Sequence, residues 1–324
     1  MDSNFQPLVS IIFTSFNHKE YLKQALDSLI NQTYSNYELI IVDDCSTDGS
    51  QEILLKYKFL DKVTLILQTI NSGSYVKASN YGASFAKGEY LLFAQCDDFA
   101  EVNQIEVLLN AFHRNPTAGV VFSKSNLVDE KGKVFSDDYY GREKRFKEAV
   151  KNNGLIKATK MKEFLSFSCV IPNLSAALIK HNLFKEVRGL SEQYLVVADW
   201  EFWLDLTEKT DFYYVSQPLN YFRQHATTIR SSVKMKIQIL EIYNMLYNHI
   251  EKYNLDSIQV HKIKIGAGAI WFSYFIESKK TWLACFISVC FKIHKLEKNK
   301  FYYLLLGLKK QFLEFFYNKL NSNE

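Results

Sequence analysis

Over the first hundred residues, continuous apolar runs of strand length alternate with segments whose apolar residues recur at helical spacing. That alternation constrains the fold more than any other feature of the chain. The runs LVSIIF (8–13), ELIIVD (38–43), VTLILQ (63–68) and EYLLFA (89–94) show no polar face. They read as strands covered on both sides, the pattern of a mostly parallel sheet between helical layers. Behind the first run, Leu22, Ala25, Leu26 and Leu29 carry a helix's period. Asn17, with Glu20 three residues on, reads as a capping box for that helix. Further helices are expected through Ile53 and Leu54 and near 75–87.

Sheets of this kind bind ligands beyond the carboxyl ends of their strands, and the polar clusters fall there. Thr14, Ser15 and Asn17 follow the first strand, Asp43 and Asp44 end the second, and Asp97 and Asp98 follow the fourth. Neither GxGxxG nor GxxxxGK[ST] is present, so the phosphate cradle of a dinucleotide fold or P-loop is missing. The carboxylates point instead to a cation that neutralises phosphate. Adjacent carboxylates repel, and the doubled Asp97–Asp98 admits other readings, a solvated turn or the N-terminal region of a helix over EVNQIEVLLNAF.

The 324 residues suffice for one large domain or two smaller ones, and a net charge of +4 is too mild to argue for nucleic acid. Five cysteines without a CxxC pair read as reduced, structural thiols of a cytosolic protein. No basic segment leads into an apolar run at the N-terminus, so no secretory signal is read there. TWLACFISVCF (281–291) falls short of the roughly 18 apolar residues that a spanning helix needs. The expectation is a cytoplasmic protein, soluble or peripheral at the inner face of the membrane. AGVVF (118–122) reads as a strand, residues 136–163 as a mobile surface loop or insertion, and the chain beyond about 231 as helical.

Ordered motifs carry the reading further. VSIIFTSFNHKEYLKQALDSLINQTYSNYELIIVDDCSTDGS resembles the opening of a family-2 glycosyltransferase with the GT-A fold. AKGEYLLFAQCDD is similar to that family's A-x-G-E-Y-hydrophobic-D-x-D-D segment, ADWEFWLDL to its E-D-x-x-x-W-like stretch, and YFRQHATTIRSS to its closing Y-x-R-x-H. The resemblance covers about residues 7–232. It implies a GT-A catalytic domain over 1–230, with a nucleotide-sugar half to 100 and an acceptor half to 230, and a helical region over 231–324. It further implies an inverting transfer from a nucleotide sugar, with UDP the expected carrier, to a glycan or lipid-linked acceptor in bacterial surface polysaccharide synthesis.

By the same resemblance, Thr14, Phe16, Asn17, Asp44 and Gln95 serve the nucleoside, and Lys77 and Asn80 reach toward the diphosphate. Asp97 and Asp98 serve the ribose and a Mn²⁺ or Mg²⁺ ion, with His225 as a further ligand. Arg223 clamps phosphate oxygens, Trp200 borders the acceptor, and Asp199 is the general base, with Glu201 a neighbouring competitor. Thr14 stands where the family commonly has Pro, Ala198 where it often has Glu, and Gln95 where it has the first Asp of D-x-D-D. Alternatives are a nucleotidyltransferase, whose Gly- and Arg-rich phosphate loop TSFNHKEY does not supply, and an inactive nucleotide- or sugar-binding scaffold. Between 279 and 320, nine Lys face two Glu around apolar clusters. The helices there read as an appendage on the catalytic domain, a peripheral membrane contact or an oligomer interface.

Overall fold

The computed structural model describes residues 6–137, 144–226, 233, 235–277, 282–293 and 296–321. Strands β1 (Val9–Ser15), β2 (Tyr37–Asp43), β3 (Val63–Leu67) and β4 (Tyr90–Gln95) pair in parallel in the order β3-β2-β1-β4. Helices α1 (Lys19–Ile30), α2 (Ser50–Leu54) and α3 (Tyr75–Ala83) connect them. β1 lies at the centre and is buried along its whole length. Its alternate side chains Val9, Ile11 and Phe13 share one core cluster with Leu22, Leu26 and Leu29 of α1. Ile12 faces the other way, toward α3, where Gly82 admits it: a Cβ at Gly82 would sit 2.7 Å from Ile12 Cγ2.

The sheet continues through β5 (Phe99–Ala100), α4 (Gln104–Arg114), β6 (Ala118–Val128) and β7 (Val134–Asp137). Next come α5 (Lys144–Ala149), β8 (Gly154–Ile156), α6 (Ala158–Leu165), β9 (Ala177–Lys180), α7 (His181–Glu186), α8 (Ala198–Leu206) and β10 (Asp211–Arg223). Beyond β4 the order is β9-β6-β10-β5. Here β9 runs antiparallel to β4 and β6, β10 runs parallel to β6, and β5 runs antiparallel to β10. The stretch 136–163 is therefore no bare loop: β7, α5, β8 and the start of α6 lie in it. Asp211 at the head of β10 holds part of it by accepting from Ala158 N and Lys157 Nζ, each at 2.8 Å. Residues 138–143 of that stretch lie outside the described residues.

The capping box expected at Asn17 does not form. Asn17 takes a left-handed backbone (φ 51°), a conformation Asn tolerates better than most residues. Its Oδ1 accepts from Thr47 N at 2.8 Å, and its N–H donates to Ser46 Oγ at 2.9 Å. The start of α1 is capped instead from the loop after β2, where Asp48 Oδ2 accepts the Lys19 N–H at 2.9 Å.

The chain divides into two compact units, Met1–Met161 with Val170–Ala226, and Lys162–Cys169 with Thr227–Glu324. The second holds α9 (Met235–Tyr253), α10 (Ser257–Glu277), α11 (Trp282–Ile293) and α12 (Lys300–Asn321). α10 and α12 meet backbone to backbone, because Cβ atoms at Gly268 and Gly307 would lie 2.2 Å from Tyr303 O and 2.3 Å from Ala269 N. Glu297 is buried there between Lys264 Nζ (2.6 Å) and the Tyr247 hydroxyl (2.7 Å). Among the described residues, no helix is long and apolar enough to cross a membrane. Residues 278–281 and 294–295 of the lysine-rich stretch lie outside the described residues.

Burial pushes the Asp48 carboxyl up, but bonds from Ser50 Oγ, Lys19 N and Ser50 N outweigh it and hold the group below its ordinary value. A depressed folded-state value contributes stability above the unfolded pKa of about 3.9 and loses it as pH falls through the lower folded value. Asp48→Asn is expected to cost about 1 kcal/mol in urea unfolding at pH 7, the worth of a helix cap. The difference from wild type should shrink as the pH drops below about 4.

Candidate active site

The doubled aspartate after β4 splits into an inward and an outward carboxylate. Asp98 is 3% exposed. Its Oδ2 accepts from Asn173 Nδ2 and from Ser175 Oγ (3.0 Å), and its Oδ1 accepts from Arg223 N at 3.1 Å. Asn220 Nδ2 extends the network to Asn173 Oδ1 and Ser125 Oγ, each at 3.0 Å. Burial, and next the charge of Asp97, push the Asp98 pKa well above the usual carboxylate range despite those donors. Asp98 thus cross-links the end of β4 to the 173–175 turn and β10, which corrects its assignment as a cation ligand. Nor does the pair cap a helix, since α4 begins only at Gln104 behind Asn103.

Asp97 faces outward, and its Oδ2 lies 3.1 Å from His225 Nε2, just past the end of β10. The residue preceding α1 completes a cluster: metal-ligating atoms of His18, Asp97 and His225 all lie within 4.8 Å of one another. The His18 and His225 rings meet edge-on with centroids 5.2 Å apart, and the Tyr21 ring lies 5.2 Å from His225. Two imidazoles and a carboxylate form a donor set that suits a divalent cation. Sequence reasoning gave His18 no role. The one local signal was its place in the TSFNHKEY turn beyond β1, at the carboxyl edge of the sheet.

Arg223 is not placed to clamp a phosphate. It is 1% exposed. Its guanidinium donates to Asp97 O (2.8 Å), Asp129 O (3.1 Å), Glu130 O (2.8 Å) and Gln24 Oε1 (2.6 Å). It also lies over the rings of Tyr21 (4.5 Å) and Phe99 (5.5 Å). Four of its five N–H groups are thereby used on the protein. Asn80 is engaged in a similar way: its amide donates to Leu190 O at 2.8 Å and accepts from Leu190 N at 3.0 Å, which ties α3 to the loop ahead of α8. Lys77, on the same helix, is exposed.

On the nucleoside side, Thr14 of β1 pairs in register with Val42 of β2 and Gln95 of β4, so Thr14 and Gln95 share one edge. Asp44 is buried and grips the next loop, accepting from Ser72 N (2.8 Å) and Ser72 Oγ (2.9 Å). Each of its oxygens keeps a further lone pair beyond that grip. Asp43 is wholly buried and serves its own turn, accepting from Ser46 N, Ser46 Oγ and Gln51 Nε2. Phe16, just past β1, is an exposed aromatic. Asp199 lies in the first turn of α8, its Oδ1 accepting from Trp200 N at 2.8 Å. Trp200 and Glu201 are buried, so Asp199 is the most exposed of the three.

A family model described as glycosyl transferase family 2 matches residues 10–165. An uncharacterized glycosyltransferase of Haemophilus influenzae is 30% identical over 230 residues, 70% of this chain and 71% of that protein. The chain belongs to glycosyltransferase family 2. It is also similar to the putative teichuronic acid biosynthesis glycosyltransferase TuaG of Bacillus subtilis, with 34% identity over 131 residues, 40% of this chain and 51% of that protein. Among solved structures, S. aureus TarS 1–349 in complex with UDP-GlcNAc superposes with a TM-score of 0.66 at 18% identity, over 90% of this chain and 82% of that one. The mannosyltransferase PcManGT of Pyrobaculum calidifontis, in complex with GDP-Man and Mn²⁺, gives 0.52 at 15%, over 96% and 88%. The enzyme's curled sheet and flanking helices are the GT-A fold.

Removing the Arg223 fork strands three carbonyls and Gln24 at once. Arg223→Ala is expected to lower unfolding stability by about 3 kcal/mol, the scale of a broken buried charge network. Thermal and urea melts check this. A structural Arg223 predicts that the loss appears in the free protein, without donor.

Proposed function

We propose that this enzyme transfers a sugar, with inversion, from a UDP-sugar to a hydroxyl of a glycan or lipid-linked acceptor in bacterial surface polysaccharide synthesis, with Mn²⁺ or Mg²⁺ as cofactor. The observation that carries this reading is the meeting of Asp97 and His225, 128 residues apart in sequence, at 3.1 Å beyond the carboxyl end of β4. His18 joins them to give a donor set that fits a divalent cation. TarS with UDP-GlcNAc, PcManGT with Mn²⁺ and the teichuronic acid name of TuaG support the donor, the cation and the pathway class.

When bound, the cation supplies Lewis-acid stabilisation of charge on the leaving diphosphate. The chain's own groups do the rest. Thr14, Phe16, Asp44 and Gln95 form the nucleoside edge, with Asp44 held in place by its grip on Ser72. Asp98 and Arg223 hold Asp97 and His225 in register from beneath. Asp199 takes the proton from the acceptor hydroxyl as that oxygen attacks the anomeric carbon in one displacement. Peripheral membrane contact through 279–320 belongs to the same reading, supported by exposed Phe291, Phe301 and Leu305 beside exposed Lys292 and Lys298.

Purified enzyme incubated with a panel of UDP-sugars and acceptor glycans should release UDP in a reaction stopped by EDTA. Asp199→Asn is expected to lose roughly 10²- to 10⁴-fold in kcat while still binding UDP, the usual worth of a general base. Full turnover in that variant would remove Asp199 from the mechanism, and absence of release from every UDP-sugar would remove the donor assignment.

A further inference from the structure

The cation reading leaves open how many protein groups hold the ion and which ion they select. A site of carboxylates alone favours Mg²⁺, a hard cation that keeps several waters and relies on substrate phosphates for much of its coordination. Imidazole nitrogen changes that preference, because nitrogen donors bind the later first-row divalent ions better than they bind Mg²⁺. Here the outward carboxylate is single, since Asp98 is turned inward and occupied.

We propose that His18 is a third protein ligand, and that the resulting two-imidazole, one-carboxylate set selects Mn²⁺ over Mg²⁺ and holds it before any nucleotide arrives. The proposal rests on the cation site of the preceding section and deepens it. Three observations support it.

The ligand atoms of His18, Asp97 and His225 already converge within 4.8 Å, from three segments far apart in sequence. A cation with bonds of about 2.1 Å keeps its ligand atoms no more than about 4.2 Å apart, close to the spread of this cluster, and the Asp97–His225 pair at 3.1 Å already meets it.

His18 is also built into place. The left-handed Asn17 ahead of it is pinned to Ser46 and Thr47, and Lys19 behind it is pinned to Asp48. The His18 ring lies between the edge of His225 and the Cys96 thiol, whose Sγ is 3.8 Å from Nδ1. A contact of that kind is one by which neighbours set the orientation of ligating histidines.

Finally, neither Asp97 nor His225 needs His18 for its own placement. Asp97 is held through its carbonyl by Arg223 Nε, and His225 follows directly from the end of β10. Packing alone would be met by any ring at position 18, which gives the test its control.

Nucleotide-free protein would be titrated with Mn²⁺ and separately with Mg²⁺ by calorimetry, and bound Mn²⁺ examined by pulsed electron paramagnetic resonance for coupling to imidazole ¹⁴N. Wild type should bind Mn²⁺ without nucleotide, at least about tenfold tighter than Mg²⁺, with coupling from two imidazoles. His18→Ala and His18→Phe should each weaken Mn²⁺ by about tenfold or more, reduce the coupling to one imidazole and narrow the gap to Mg²⁺. His18→Phe keeps a ring against His225 and Tyr21, and matching melting curves would show the fold intact. Unchanged Mn²⁺ affinity and coupling in both variants, with binding lost in Asp97→Ala, would overturn His18 as a ligand and leave the cation site standing. Wild type that binds no Mn²⁺, with or without UDP, would overturn the cation site itself.

Discussion

A single buried guanidinium holds the candidate active site together. Placing Arg223 out of water costs several kcal/mol unless its donors are met, and its acceptors come from three separate segments around Asp97 and His225. Asp97 O follows β4, Asp129 O and Glu130 O lie in the turn after β6, and Gln24 Oε1 comes from α1, which also supplies the Tyr21 ring face. Each partner alone is a weak tie. Together they fix the end of β10 against β4 and α1, and therefore fix His225 beside Asp97 and His18. All four acceptors are neutral oxygens, so the positive charge stays available to the pair of aspartates above it.

That charge explains why two carboxylates can sit side by side. Asp97 and Asp98 lie in the turn after β4, closed by the Asp98 N–H on Gln95 O at 3.2 Å, and their side chains diverge. Asp98 goes inward and accepts from Asn173, Ser175 and the Arg223 backbone, while the nearby guanidinium lowers the cost of its charge. Asp97 is left facing outward, its carboxylate against His225. One aspartate organises the sheet and the other stands outward with His225 and His18.

The parts of the fold written in local periodicity were legible. The four parallel strands lie where the uniform apolar runs stood, and α1 carries Leu22, Ala25, Leu26 and Leu29 on its buried face. The structure within 136–163 was hidden because its short elements depend on partners elsewhere, such as Asp211 for the segment at 157–158. The same distance effect governs the site. Asp97 and His225 stood out because motifs name them. His18 did not, because only the close of β10 against α1 brings it near them. Arg223 and Asn80 were misread for the opposite reason: polar residues at a strand or helix end suggest a ligand, yet their hydrogen bonds end on carbonyls 93 to 126 residues away in the chain.

The neutral residue at position 95 fits this electrostatics. Gln95 lies in register with Thr14 at the end of β4, and its backbone N–H is within 3.4 Å of Ser175 Oγ, the hydroxyl that also serves Asp98. An aspartate there would put a third carboxylate beside a group whose pKa burial and Asp97 already push upward. With Gln95 the cleft holds Asp97 and Asp98 against one buried Arg223, and so at most one uncompensated negative charge. An imidazole ligand adds a nitrogen without adding negative charge. A divalent cation bound by such a set keeps net positive charge to offer a diphosphate, which a site built from three carboxylates would largely cancel. On the proposed cation site, Gln95 and the two histidines are complementary: the glutamine removes a charge at the strand end, and the imidazoles would replace the ligand capacity that an extra carboxylate would have brought.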